Sequence, residues 1–138
     1  MREIIFKAKR IDNGEWVEGC LVIDHSRSNL FEYRMQPVES GVLYAPPINP
    51  ETICQYTGLT DKNGNRIWEN DICDRKEPYP EIVKMYNGDW TLDYSYSCGK
   101  DYGCCYCNLG FYTVERKEVG VIGNIFDNPE LLQEESDE

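Results

Sequence analysis

One stretch of the chain limits its fold more than any other: residues 55–72, Gln-Tyr-Thr-Gly-Leu-Thr-Asp-Lys-Asn-Gly-Asn-Arg-Ile-Trp-Glu-Asn-Asp-Ile. It reads as a strand, a tight turn on Asp61 to Gly64, a second strand and a second turn. Thr57, Ile67 and Trp68 suit a pleated surface, while Gly58 and Gly64 give the backbone freedom where a side chain would clash. The stretch contains no nucleophile, metal cage or phosphate cradle. It defines a fold core and says little about a reaction.

The flanking sequence continues the β pattern. Ile4, Phe6 and Ala8 alternate with Ile5, Lys7 and Lys9, the period of a half-buried strand. Asp12-Asn13-Gly14 is a hairpin signal, because Asn and Gly tolerate positive φ. Glu15 to Ile23 is the expected return, with Gly19 read as a bulge. A third strand is expected at Leu30 to Met35. Four prolines between Gln36 and Pro50 (Pro37, Pro46, Pro47, Pro50) predict an ordered loop with a short strand at Val42 to Tyr44. Ile72-Cys73 opens a further strand, Glu81 to Tyr86 is the next, and Asn87-Gly88 turns the chain into a return over Trp90 to Tyr96. Ser97 to Gly110 has no period. Phe111 to Arg116 and Glu118 to Ile122 read as closing strands. Asn128-Pro129 reads as an N-cap and first residue of a short helix through Leu132. No segment sustains a helical period. The expected fold is mostly β, with two small β subdomains over 1–50 and 51–132. The first is a hairpin and sheet unit and the second is barrel-like in the manner of SH3 folds. Residues 133–138 form an acidic tail expected to be disordered. Trp16, Tyr56, Ile67 and Trp68 are expected in the core.

Three blocks resemble the YopX family. Gln55 to Leu59, Asp61 to Gly64 and Trp68-Glu69-Asn70-Asp71-Ile72 are similar to its central run, with Asn70 where glycine is usual. Arg2 to Ala8 resembles its start, and Val121 to Leu131 resembles its ending. The resemblance implies a fold and a bacteriophage or prophage setting. It implies no mechanism.

Length and charge narrow the function classes. A chain of 138 residues can bury about 68% of its unfolded surface, so it needs no covalent or metal staple to fold. Aromatic residues make up 12%, with 10 Tyr and 3 Trp, which speaks against disorder throughout. No apolar run approaches the ~18 residues that span a bilayer, and the N-terminus lacks a signal-peptide profile. A cytoplasmic protein is therefore expected. The net charge is −11, from 14 basic and 25 acidic residues. Five of the acids (Glu130, Glu134, Glu135, Asp137, Glu138) crowd the C-terminus. Such a balance argues against direct nucleic-acid binding, which needs clustered Lys and Arg to displace counterions. It is compatible with a basic partner protein or simply with solubility.

Candidate sites are few. Seven cysteines include Cys98, Cys104, Cys105 and Cys107, with a Cys-x-x-Cys at 104–107. That spacing lets two thiolates reach one zinc at ~2.3 Å, with Cys98 and Cys73 available to complete a tetrahedron. Structural zinc sites usually carry two such knuckles, and here there is one, so thiols in a variable loop are the expectation. A redox pair in the same loop is the weaker alternative. His25, the sole histidine, stands in a turn with no motif around it and is expected to be solvated. Glu69 and Asp71 would point the same way on an extended segment and could hold a divalent cation. The simpler account makes Asp71 and Asn70 turn caps. Asp61 and Asn63 read as turn formers.

No catalytic residue and no cofactor is expected. The leading expectation is a non-catalytic protein-interaction module of phage or prophage origin. Its partner would be a host or phage protein or a second copy of the chain, with no role for nucleic acid or membrane. The alternatives are a small zinc protein through Cys98 to Cys107, and a divalent-metal-dependent hydrolase at Glu69 and Asp71.

Overall fold

The structure, a computed structural model, describes residues 3–24, 32–38, 45–77, 79–98 and 106–132, and of residues 97 and 98 the backbone alone. Ten strands are described: β1 (Phe6–Lys9), β2 (Trp16–Ile23), β3 (Tyr33–Pro37), β4 (Cys54–Thr60), β5 (Arg66–Trp68), β6 (Asp71–Asp74), β7 (Glu81–Tyr86), β8 (Asp89–Asp93), β9 (Tyr106–Asn108) and β10 (Gly120–Asn124). They form two five-stranded sheets, ordered β3-β2-β1-β4-β5 and β10-β6-β7-β8-β9. The mostly β expectation holds. The chain divides into two compact units, Met1–Tyr56 and Thr57–Glu138, six residues beyond the boundary read from the prolines. No described helix is long and apolar enough to cross a membrane.

In the first unit β1 pairs antiparallel with β2 from Phe6↔Gly19 to Lys9↔Trp16 and with β4 at Phe6↔Gln55 and Lys7↔Cys54. The Asn13-Gly14 signal is realised as a turn in which Gly14, at φ 74, donates to the Arg10 carbonyl. Gly19 is not a bulge. It lies in regular register, and a Cβ there would overlap the Gln36 carbonyl of β3. The third strand sits two to three residues later than expected, because Tyr33 to Pro37 is the segment that pairs with β2. Ala8, Met35 and Ile48 form the core, with Phe6, Val17, Leu21, Tyr33 and Ile53 around them. The short strand expected at 42–44, His25 and the tail at 133–138 lie outside the described residues.

The second unit is built on the meander β6-β7-β8-β9, to which β10 adds at the β6 edge. Asn87 and Gly88 sit at φ 51 and 86 between Tyr86 and Asp89, a two-residue hairpin loop with both φ positive. Ile67, Cys73, Val83, Leu92, Leu109 and Val119 are fully buried and form its core. Trp68 is 5% exposed. Trp16 and Tyr56, expected in the core, are only half-buried. The ammonium groups of Lys7 and Lys9 lie 4.7 and 5.3 Å from the Trp16 ring centroid, which covers the indole with charge instead of apolar side chains.

Two further expectations are corrected. The return strand ends at Asp93, and Ser95–Cys98 forms one helical turn, α1. Asp93 Oδ1 starts it by accepting from Ser95 N at 2.8 Å and Ser95 Oγ at 2.7 Å. The strand expected over Phe111 to Arg116 is a π-helical turn, Phe111–Glu115. Asn108 Oδ1 accepts from Phe111 N at 2.8 Å, and Thr113 Oγ1 donates back to the Leu109 and Gly110 carbonyls. These local bonds override the β preference of the Phe-Tyr-Thr-Val run.

Candidate functional site

One carboxylate, Asp61, fastens the first turn of the central stretch. Asp61 follows β4, and its Oδ1 accepts from Asn63 N at 2.9 Å and from Asn65 N at 2.8 Å. Its Oδ2 accepts from Val121 N of β10 at 2.9 Å. Burial opposes the charge on Asp61, but the amides of Val121, Asn65 and Asn63 outweigh it and hold the group below its ordinary 3.8. Lys62 N donates to the Val119 carbonyl at 2.9 Å, so the turn is bound to the β10 segment on two successive residues. Gly64, at φ 86, closes the turn by donating to the Asp61 carbonyl.

This fastening shapes a groove of about 530 Å³ lined by Gly58, Leu59, Thr60, Asp61, Lys62, Thr113, Val114 and Lys117. Its apolar part comes from Leu59, which packs on the core, and from Val114, which is 57% exposed. Two exposed lysines stand along it. The Lys62 stem crosses Gly120, where an added Cβ would come 3.2 Å from the lysine Cε. Lys117 sits at φ 54 between two residues fixed to the π-helical turn, Arg116 N donating to Phe111 O and Glu118 N to Tyr112 O. Asp61 and Lys62 belong to the stretch singled out in sequence. Thr113, Val114 and Lys117 were missed, since they lie some fifty residues away in a segment read as a plain strand. Smaller depressions occur at Trp16 and Val38 (about 400 Å³) and at Tyr86 and Tyr106 (about 210 Å³), where the two tyrosine rings stack at 4.7 Å.

The other sequence candidates have structural partners. Asp71 is buried, and its Oδ2 accepts from Trp68 N at 2.8 Å, the turn-capping role of the simpler account. Asn70 stands at φ 72, the left-handed conformation that explains a glycine preference at this position. Glu69 is half-buried. Of the cysteine cluster, residues 104 and 105 and the side chain of residue 98 lie outside the described residues. Cys107 is half-buried, with its thiol pushed up to about 11 by burial and then by the charge of Glu81. Cys73 lies in the apolar core, where burial raises its thiol well above the usual range. Among the described residues no three His, Cys, Asp or Glu side chains gather as a metal site would need.

Beside Cys107 lies an ion pair that the sequence did not suggest. Arg75 donates to both oxygens of Glu81, Nε to Oε1 at 2.6 Å and Nη2 to Oε2 at 3.1 Å, and its guanidinium stacks 4.3 Å from the Tyr112 ring. Glu81 is fully buried and burial pushes its carboxyl up, while Arg75 draws it back. With both oxygens committed to the guanidinium, the pair ties β7 to the Asp74–Glu77 bend and offers no free base.

A family model described as YopX protein matches residues 6–133. The crystal structure of protein EF1440 from Enterococcus faecalis is similar in fold, with a TM-score of 0.58 and 24% identity over 96% of this chain and 100% of that one. No curated protein matches the chain.

Proposed function

The chain belongs to the YopX family, and from that premise we propose that it is a phage- or prophage-encoded accessory protein that acts by binding a host or phage protein in the bacterial cytoplasm. The observation that carries the proposal is the use made of the central stretch. Its two aspartates in the turns are spent on fastening, Asp61 on three backbone amides and Asp71 on Trp68 N. What it presents outward is Gly58 to Lys62, part of the lining of a groove that an exposed valine and a second lysine from residues 113–117 complete. An apolar floor with a polar rim is the make-up of a docking surface.

The test is affinity capture from a bacterial host carrying the phage, with wild type and Val114→Asp as baits. The wild type should retain one protein in near-stoichiometric amount, and the variant, folded by circular dichroism, should lose it. No protein retained above a tag-only control, or one held equally by both baits, would refute the proposal.

A further inference from the structure

We propose that this groove takes a linear segment of its partner in which Asp or Glu stands beside an apolar side chain. The inference rests on the binding-module reading and adds the chemistry of the ligand. The chain as a whole carries −11, which by itself would favour a basic partner. The groove is a local exception. Of its three ionisable lining residues two are Lys62 and Lys117. The third, Asp61, turns its oxygens toward the amides of Asn63, Asn65 and Val121. Among the described residues neither lysine is held in an ion pair. The nearest acidic side chain beyond Lys117 along the chain, Glu118, approaches Lys76 at 3.9 Å instead.

Both lysines are positioned at the backbone. Lys62 N is bound to Val119 O, its stem crossing Gly120, and Lys117 is held between Arg116 and Glu118, whose amides are both bonded. With the backbone on this side of the groove already set, binding has only the two lysine side chains left to order. Beside the lysines Leu59 and Val114 give apolar surface, and Gly58 carries no side chain. A carboxylate reaching the ammonium groups while its neighbour covers Val114 satisfies both halves of the groove. A basic segment would set like charges against each other, which disfavours it.

The experiment is selection from a random-peptide library on wild-type protein, with counter-selection on the Lys62→Glu/Lys117→Glu double variant. Both substitutions fall at exposed positions, and melting curves should confirm that the fold is kept. The surviving pool should be enriched in Asp or Glu next to Leu, Ile, Val or Phe. A synthetic member should bind at least about tenfold more weakly to the double variant, should recover on Lys62→Arg/Lys117→Arg, and should weaken as salt shortens the screening length. A pool rich in Lys and Arg, or free of charge bias, overturns the proposal. If such a pool still depends on Val114, the binding-module reading stands and only the acidic class falls. If no peptide survives and the host capture is also empty, both fall.

Discussion

Asp61 shows how far a single side chain can be read in advance. Its place ahead of Lys-Asn-Gly marks it as a turn former, and the bonds to Asn63 and Asn65 bear that out. The bond to Val121 spans 60 residues, and no local pattern announces it. Removing the carboxylate leaves a partly buried amide without its acceptor, so Asp61→Ala should lose about 1–3 kcal/mol in urea denaturation. The pH dependence follows from the direction of the shift. The folded group titrates below its ordinary 3.8, so its stabilisation is fully present above that value and fades as pH falls through the lower, folded one. Asp61→Asn should be less stable than wild type at neutral pH, and the gap should narrow in acid. A gap that stays constant down to the lowest pH would mean that the charge contributes nothing. Arg75 and Glu81 were invisible for a different reason: residues six apart across a bend meet only once β6 and β7 pair.

Hairpins were the most legible elements. Asn87-Gly88, Asp61 to Gly64 and Asn13-Gly14 each turn the chain where the residues say they should, since their φ angles need residues that tolerate the left-handed region. The segment 106–116 was the least legible. Phe111, Tyr112, Thr113 and Val114 all favour strands, and the side-chain bonds of Asn108 and Thr113 work against that preference. One wall of the groove therefore depends on an element that propensity misreads. Asn108→Ala removes the acceptor for Phe111 N and should cost about 1 kcal/mol of stability by thermal melting, the usual worth of a cap. It should also raise amide hydrogen exchange over residues 111–115 and leave β6–β8 unchanged. Equal protection in variant and wild type would assign the turn to packing of Tyr112 instead.

At the scale of the molecule each unit has its own apolar core, and stability is expected without a metal. Cys107, the described member of the cysteine cluster, is half-buried beside Glu81, and burial followed by the Glu81 charge pushes its thiol up to about 11. Treatment with a chelator should leave the melting curve where it was, and elemental analysis should find no stoichiometric metal. A structural zinc is worth on the order of 10 kcal/mol, so a collapse with about one zinc released per chain would assign Cys98, Cys104, Cys105 and Cys107 to it. The link from Asp61 to Val121 also has a consequence in time. At roughly 5–20 residues per second of synthesis, Val121 is added some 3–12 s after the turn it secures. The hairpin of β4 and β5 must wait through that interval with one side of its turn unfastened. A nascent chain halted before Val121 already contains the whole central stretch but lacks the distant bond that fastens it to β10.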